Sequence, residues 1–399
     1  MRSDLHPNAQ SPRVGGPGLH PDAQSPRVGG PDLHPNAQSP RVGGPGLHPD
    51  AQSPRGGGPG LTVSIAAPRD RGVWESFVNA RGDAAGYHAW DWQSVFTRAF
   101  GHECVYLMAR SGGHVEGILP LVHIKSLIFG NTLTSLPFLN YGGVMADSTD
   151  AAGALVQAAR AEAERRRCGH VELRHVEPQF PALPCKRHKV SMRLGLADHL
   201  WDRLDRKVRN QIRKAEKSGL AIERGGEELV GDFYTVFARN MRDLGTPVYS
   251  RRLFEEVLRA FPQRSQLHIV RLNREPVAAG VTYRTRQMVQ LPWASSIREF
   301  NALCPNVLLY WDAIQYAHST GAPVFDMGRS TPGEGTFKFK AQWGAEAVPL
   351  HWEYQLLTPG EMPNVSPANP KFQLAIALWQ KLPISLTTRV GPMIVRAIP

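Results

Sequence analysis

Residues 325–344 read FDMGRSTPGEGTFKFKAQWG, and the reading of the whole chain turns on them. The apolar run Pro323-Val324-Phe325 ends in an acid, so a buried strand delivers Asp326 and Arg329 to the edge of a Gly-rich turn. A rigid element that ends in polar groups beside a loop is a common way to present reactive side chains. Beyond the turn, Phe337-Lys338-Phe339-Lys340 sets two lysines among aromatics. That setting suits an anionic or acyl-bearing ligand, because a low local dielectric strengthens a lysine charge. The same residues also fit an edge strand with solvated lysines, and spacing alone does not choose between the two.

The rest of the chain frames this segment. It has 399 residues, enough for two domains, and its 42% hydrophobic content is ordinary for a globular protein. No stretch approaches the roughly 18–20 apolar residues that span a bilayer. The first residues carry no apolar signal-peptide core, which points away from export. Cys104, Cys168, Cys185 and Cys304 are far apart and form no C-x-x-C pair. Zinc and dithiol motifs are therefore absent, and reduced thiols in a cytoplasm are expected. Net charge is +11. Five arginines and four aspartates fall in the first 60 residues, so nearly all the excess sits on the remainder. A basic surface suits phosphate-bearing partners: nucleic acid, nucleotide-activated donors or anionic headgroups.

Residues 5–60 are four copies of a 14-residue unit, starting at Leu5, Leu19, Leu33 and Leu47. Each offers one Leu and usually one Val among Pro, Gly, Ser and Asn, too little apolar surface to offset the entropy of ordering. Residues 1–61 are therefore expected to be disordered. From residue 62, helical patterns at Val73–Asn79 and Trp90–Phe100 precede a hairpin, Val105–Ala109 and Val115–Val122, turning at Ser111-Gly112-Gly113. Further strands follow to Ser135. A helix over Asp150–Arg167, capped by Thr149 or Asp150, leads to a strand at His170–Arg174. Near Ser191 the order starts again: helices at Trp201–Lys217, Asp232–Leu244 and Arg251–Phe261, then a meander at Leu267–Leu272, Val277–Tyr283 and Met288–Trp293. A helix over Asn306–Thr320, capped by Asn306, is followed by strands at Val324–Met327 and Val348–Leu356. This recurrence predicts a duplicated α/β (α+β) fold, each half a mixed sheet flanked by helices. The expected divisions are 1–61, 62–190, 191–365, and a helical tail at 366–399. The tail's helices, Leu374–Leu382 and Thr387–Ile398, border Lys381, Arg389 and Arg396. They fit docking on the body or contact with a membrane surface.

Two further regions bear on chemistry. Over Trp201–Lys217, Leu204, Val208 and Ile212 make a narrow apolar stripe. The other faces carry Arg203, Arg206, Lys207, Arg209, Arg213, Lys214 and Lys217. This is either a solvated helix face or a phosphate-contacting one, with Arg209 and Arg213 as candidates. The junction Trp293-Ala294-Ser295-Ser296, leading to Pro305-Asn306 at a helix start, offers free N–H groups to an anion. No Walker loop, G-x-G-x-x-G, H-E-x-x-H or G-x-S-x-G is present. His175 and His268 read as satisfied residues of strands rather than bases.

Several separated motifs resemble one family. FDMGRSTPGEGTFKFKAQWGAE, VRNQIRKAEKSGL from Val208, LPFLNYGG from Leu136 and PWASSIREFNALCPNVLLYWDAIQYA from Pro292 resemble the FemAB-like branch of the GNAT acyltransferase superfamily. Within it they resemble the subgroup associated with exosortase/PEP-CTERM and exopolysaccharide systems. The resemblance covers about Ala67–Pro399 and implies two tandem GNAT-like domains with a site in the cleft between them. It implies transfer of an acyl or aminoacyl group to an amine on a cell-envelope, exopolysaccharide or lipid-linked precursor. The work would take place in the cytoplasm or at the inner face of the membrane, where the tail would make peripheral contact. No cofactor would be permanently bound; the donor would be acyl-CoA or aminoacyl-tRNA. The chain lacks both the long helical hairpin that some relatives use for tRNA and the pyrophosphate loop of ordinary GNAT enzymes, so both donors stay open.

The family's Phe-Lys pair corresponds to Phe339-Lys340, which makes Lys340 the implied active-site group. With it go Asp326 as acceptor or orienter of the amine proton and Arg329 as a clamp for phosphate or carboxylate. Trp293 and Phe339 would wall the acceptor pocket. Ser295, Ser296, Asn306, Tyr310 and Tyr141, which lie in the matching motifs, complete the substrate-binding set. No metal ligands are expected. The competing expectation is a non-catalytic basic protein, binding phosphate or nucleic acid on a decayed transferase fold.

Overall fold

The computed structural model describes residues 60–81, 87–126, 129–357, 362–363 and 370–398, so the 14-residue repeats lie outside the described residues apart from Gly60. Residues 57–399 make one unit. Among the described residues two mixed sheets form, each flanked by helices.

The first sheet is built mainly from the first half. It contains β1 (Thr62–Ile65), β2 (Glu103–Ser111), β3 (His114–Ser126), β4 (Gly130–Ser135), the short β5 (Met145–Ala146), β6 (His170–His175) and β7 (Cys185–Lys186). The second contains β8 (Val190–Gly195), β9 (Leu220–Gly225), β10 (Ser265–Leu272), β11 (Glu275–Arg284), β12 (Met288–Ser296), β13 (Val324–Ser330) and β14 (Glu346–Pro349). The chain then returns: β15 (His351–Leu356) inserts between β6 and β7 of the first sheet. The strand expected over 348–356 is thus two strands divided at the buried Leu350, one on each sheet. A local pattern of alternation cannot report which sheet a strand joins, because that pairing is long-range. Parallel pairing occurs where β4 meets β6 and where β12 meets β13; the other pairings are antiparallel.

In the first half, α1 (Arg71–Ala80), α2 (Trp92–Phe100) and α3 (Thr149–Arg165) flank the sheet. The cap of α3 is Ser148, whose hydroxyl accepts the Ala151 N–H at 3.1 Å, one residue before the expected Thr149. The second half carries α4 (Leu200–Arg203), α5 (Arg206–Lys217), α6 (Val230–Asp243), α7 (Arg251–Ala260), α8 (Pro305–Ser319) and α9 (Gly335–Ala341). The helix expected over Trp201–Lys217 is broken. Leu204 is buried and extended, and Asp205 starts a new helix by accepting the Lys207 N–H at 2.6 Å. Asn306 is not a cap either. Cys304, at φ +61°, holds that position, Pro305 opens the first turn, and Asn306 follows it. The aromatic–lysine alternation at 337–340 belongs to α9, not to a strand. Two tail helices, α10 (Pro370–Trp379) and α11 (Ile384–Val395), complete the chain. α11 docks on the body: Val395 is buried, and Gly391 lies so close to Val248 that a Cβ would come 2.8 Å from its backbone nitrogen. Leu374 and Met393 of the tail stay 71% and 70% exposed, an apolar surface left over after docking.

The main core joins the halves. Tyr87, Trp92, Phe96 and Tyr141 of the first pack with Phe233, Phe254, Tyr283 and Trp293 of the second, and with Trp352 and Tyr354 on β15. Each such side chain contributes about 1.5–3 kcal/mol on burial. A separate core beneath β8, β12 and β13 holds Val208, Ile212, Tyr310, Phe325 and Trp343. β13 therefore runs with one core on either side, and what it carries at its far end faces the seam between the halves.

Candidate active site

β13 pairs with β12 only from Val324 to Asp326, opposite Met288 to Gln290. Its pairing with β8 breaks register between Asp326 and Arg329. Asp326 lies inside the strand, not at its end, at the last position paired with β12. The bulge needs Gly328, whose φ is +79°; a Cβ there would come 2.9 Å from the Leu291 carbonyl oxygen. The freed carbonyls of Gly328 and Arg329 accept from Lys340 Nζ at 3.0 and 3.1 Å. α9 places that lysine because Phe339 packs edge-on against Tyr310 at 5.0 Å, leaving Lys340 turned into the protein. Lys338, two residues earlier, is exposed.

Lys340 is only 6% exposed. Burial lowers its pKa to about 8; Asp326 partly opposes that and Arg329 adds to it. A lysine in that range exchanges a proton near neutral pH. Asp326 is fully buried and bound on both oxygens: Oδ1 accepts the Gly328 N–H at 2.8 Å, and Oδ2 accepts the Tyr141 hydroxyl at 2.8 Å. Tyr141 comes from the first half, so Tyr141, Asp326, Gly328 and Lys340 form one connected chain across the seam. Burial and the Asp326 charge raise the Tyr141 pKa.

Arg329 leaves the strand in the other direction. It is half-buried, with its guanidinium 5.2 Å from the Trp352 ring, and has no acidic partner among the described residues. Desolvation and the neighbouring Arg174 lower its pKa. Arg174 reaches the same indole at 4.3 Å. Lys189, bonded to Thr331 Oγ1 at 2.7 Å, is depressed by burial and then by Arg329. Arg193 sits 5.6 Å from the Tyr141 ring with a buried Nε that has no partner among the described residues. Tyr87 Oη, Trp352 Nε1, Ser191 Oγ and Ser330 Oγ are unpartnered in the same sense. Buried polar groups normally have partners, so this string of open ones around Arg329 and Arg193 is unusual. Tyr87, Arg174, Arg193 and Trp352, which surround Arg329 and Tyr141, carry no sequence signal, because each sits far from the signature segment in an ordinary-looking strand or turn.

Other expected residues are elsewhere. Trp293 is buried in the main core, edge-on to Phe254 at 5.4 Å, whereas Phe339 packs against the second core, so the two do not wall one pocket. Ser295 accepts from Asn240 Nδ2 at 3.0 Å, and Ser296 ends β12 opposite Ala278. Tyr310 is buried beside Phe339 and Trp343, and burial raises its pKa. On α5, Arg209 has a buried Nε without a partner among the described residues, while Arg213 is exposed and stacks over Trp201 at 5.2 Å. His175 Nε2 accepts the Val144 N–H at 2.9 Å, so its Nδ1 carries the proton and donates to Glu353 at 2.6 Å. His268 is held by Asp312 at 2.6 Å and Thr282 at 3.0 Å. Both ring nitrogens of each histidine are bonded. No group of three or more His, Cys, Asp or Glu converges as a metal site would among the described residues. No helix there is long and apolar enough to cross a membrane.

A domain whose chain turns on a β-bulge at the end of a parallel pair, after a three-stranded meander and a long helix, has known counterparts. Residues 203–341 match the family model described as the acetyltransferase (GNAT) domain. The fold as a whole resembles tandem GNAT proteins. FemX is 14% identical over 73% of this chain and 96% of its own, with a TM-score of 0.57. A tandem GNAT protein from the clavulanic acid biosynthesis pathway is 13% identical over 76% of this chain and 100% of its own, at 0.50. The C-terminal domain of a putative lysylphosphatidylglycerol synthetase from Agrobacterium fabrum is 12% identical over 72% and 92%, also at 0.50. No curated protein matches in sequence. The GNAT match covers most of the second half, and the tandem likeness is one of fold; both leave donor and acceptor open.

Proposed function

We propose that this protein is a FemAB-like N-acyltransferase that moves an acyl or aminoacyl group to an amine on a cell-envelope or exopolysaccharide precursor. The observation that carries the reading is Lys340: a buried ammonium, poised near neutral pH, at the bulge where the second half meets the first. Attack of a neutral amine on the donor carbonyl forms a tetrahedral oxyanion and then expels an oxygen or sulfur leaving group. Two donors of the Lys340 ammonium are taken by carbonyls. The remaining one is free to hold the oxyanion or to protonate the departing atom. The proton shed by the attacking nitrogen passes to Lys340 after the lysine has protonated the leaving atom, and the Asp326 carboxylate, fixed by Tyr141 and Gly328, favours the lysine's charged form. Arg329 binds a carboxylate or phosphate of the substrate. Arg209 and Arg213 offer a separate contact for the donor's phosphates, in acyl-CoA or aminoacyl-tRNA.

The working domains are 62–190 and 191–365, with strand β15 given to the first sheet and the tail at 366–399. We place the work in the cytoplasm, at the inner face of a membrane that the exposed Leu374 and Met393 would touch. A lipid-linked glycan amine is the acceptor in keeping with that setting, and an exosortase/PEP-CTERM system is its context. A non-catalytic basic protein would have no reason to join Asp326 to Lys340 through Gly328, and that link favours the transferase.

Purified protein given acyl-CoA or charged tRNA together with amino-sugar acceptors should form an amide detectable by mass spectrometry. Lys340→Met should lower the rate by about 100-fold or more. Unchanged turnover in that variant sinks the role of Lys340. Unaltered envelope glycans in a deletion strain sink the proposed acceptor.

A further inference from the structure

A second basic site lies at the opposite end of β13. A cavity of about 400 Å³ opens between α1, the β10–β11 edge and the start of β13, lined by Arg81, Arg264, Arg284 and Arg286 with Asn79, Thr285 and Thr320 among others. No Asp or Glu lines it among the described residues. Arg81 is paired with Asp147. Arg264, Arg284 and Arg286 have no acidic partner there.

Their placement is costly. The Arg284 N–H donates to the Arg264 carbonyl at 2.6 Å, so the two arginines stand opposite each other across antiparallel strands. Like charges directly opposite destabilise a sheet, and Arg286 adds a third within two residues. Among the described residues the Arg284 guanidinium bonds only the Gln263 carbonyl, at 3.4 Å. Three guanidiniums gathered in a concavity without a carboxylate call for an anion from outside, and their planar forks match phosphate oxygens. Ala322 and Thr320, just before β13, form the wall nearest the Lys340 side. Lys340 binds at Gly328, four residues beyond Val324 and about 13 Å further along the strand. The two sites do not share a residue.

We propose that this cavity binds a diphosphate group, either free pyrophosphate or the diphosphate of a nucleotide- or lipid-linked ester. Three uncompensated cations exceed what a single phosphate needs, and the cavity is within the size range of small-ligand pockets. The neutral donors Asn79, Thr285 and Thr320 would complete the shell around the phosphates.

Calorimetric titration of the full chain with inorganic pyrophosphate tests this. Binding is expected, weaker for orthophosphate, with a tenfold or greater loss of affinity, on the order expected for a charge-assisted bond, in Arg286→Gln. Arg286 is exposed, so this variant folds; Arg264→Gln serves as a second. Lys338→Gln, which removes an exposed cation outside the cavity, should leave pyrophosphate affinity unchanged. A uridine-diphosphate sugar that binds more tightly than pyrophosphate identifies the ester as ligand; the reverse identifies the free ion. Absence of pyrophosphate binding overturns the proposal. So does an affinity in both Arg286→Gln and Arg264→Gln equal to that of the unaltered chain.

Discussion

The two sheets each bring an arginine to Trp352, and the two are held in opposite ways. Arg174, from the first sheet, is almost fully buried; its Nε bonds Glu172 at 2.7 Å and its Nη1 the Leu139 carbonyl at 3.1 Å. Arg329, from the second, makes no such bond among the described residues. The first sheet supplies a finished floor and the second an open cation. Structural charge is recognised by its saturated partners, and binding charge by their absence.

The comparison breaks most sharply at Arg174. Arg174→Met strands the buried Glu172 carboxylate and should cost about 3–5 kcal/mol in denaturant unfolding. A loss near zero would mean the first sheet is not finished after all. Next comes Lys340. Its folded pKa of about 8 lies below the ordinary 10.5. Between those values the unfolded chain holds a proton that the folded chain has released, so stability rises with pH across that window. The rise approaches about 3 kcal/mol at ~1.4 kcal/mol per pKa unit. Lys340→Met, followed by denaturant midpoints from pH 7.5 to 10, should lack it. Tyr141→Phe removes one of the two bonds to the buried Asp326 and should cost about 1–3 kcal/mol, by the same measurement. Arg329→Ala should change stability least, by about 0.5 kcal/mol or less. Acyl transfer should nonetheless fall in that variant, mainly through a raised KM for the substrate bearing the anion.

Much of this was legible in the chain. The β2–β3 hairpin, α3, the β10–β12 meander and α8 announce themselves by local period and turn residues, and the recurrence of their order gave the duplicated fold. Segment 325–344 pointed to Asp326, Arg329 and Lys340; Asp326 and Lys340 meet at Gly328, whereas the Arg329 guanidinium turns away to Trp352. The helix α9 was hidden because Phe337-Lys338-Phe339-Lys340 alternates as a strand does. The spacing of Phe339 and Trp343, four apart and packed together at 6.2 Å, was the helical signal within it. Trp293 misled because an aromatic on a core-facing strand reads the same whichever face it takes. Arg174 and Trp352 were out of reach, since only the long-range pairing of β6 with β15 makes them neighbours.

That pairing also governs how the chain is made. His175 pairs with His351, so β6 leaves the ribosome with one edge bare and keeps it bare until the second half has been synthesised. At typical elongation rates the wait is on the order of ten seconds or more. An unpaired strand edge exposed for that long invites association with other nascent chains. Whatever covers that edge in the interval should therefore raise the yield of folded protein. A fragment ending near residue 195 should aggregate even though it carries most of its own sheet.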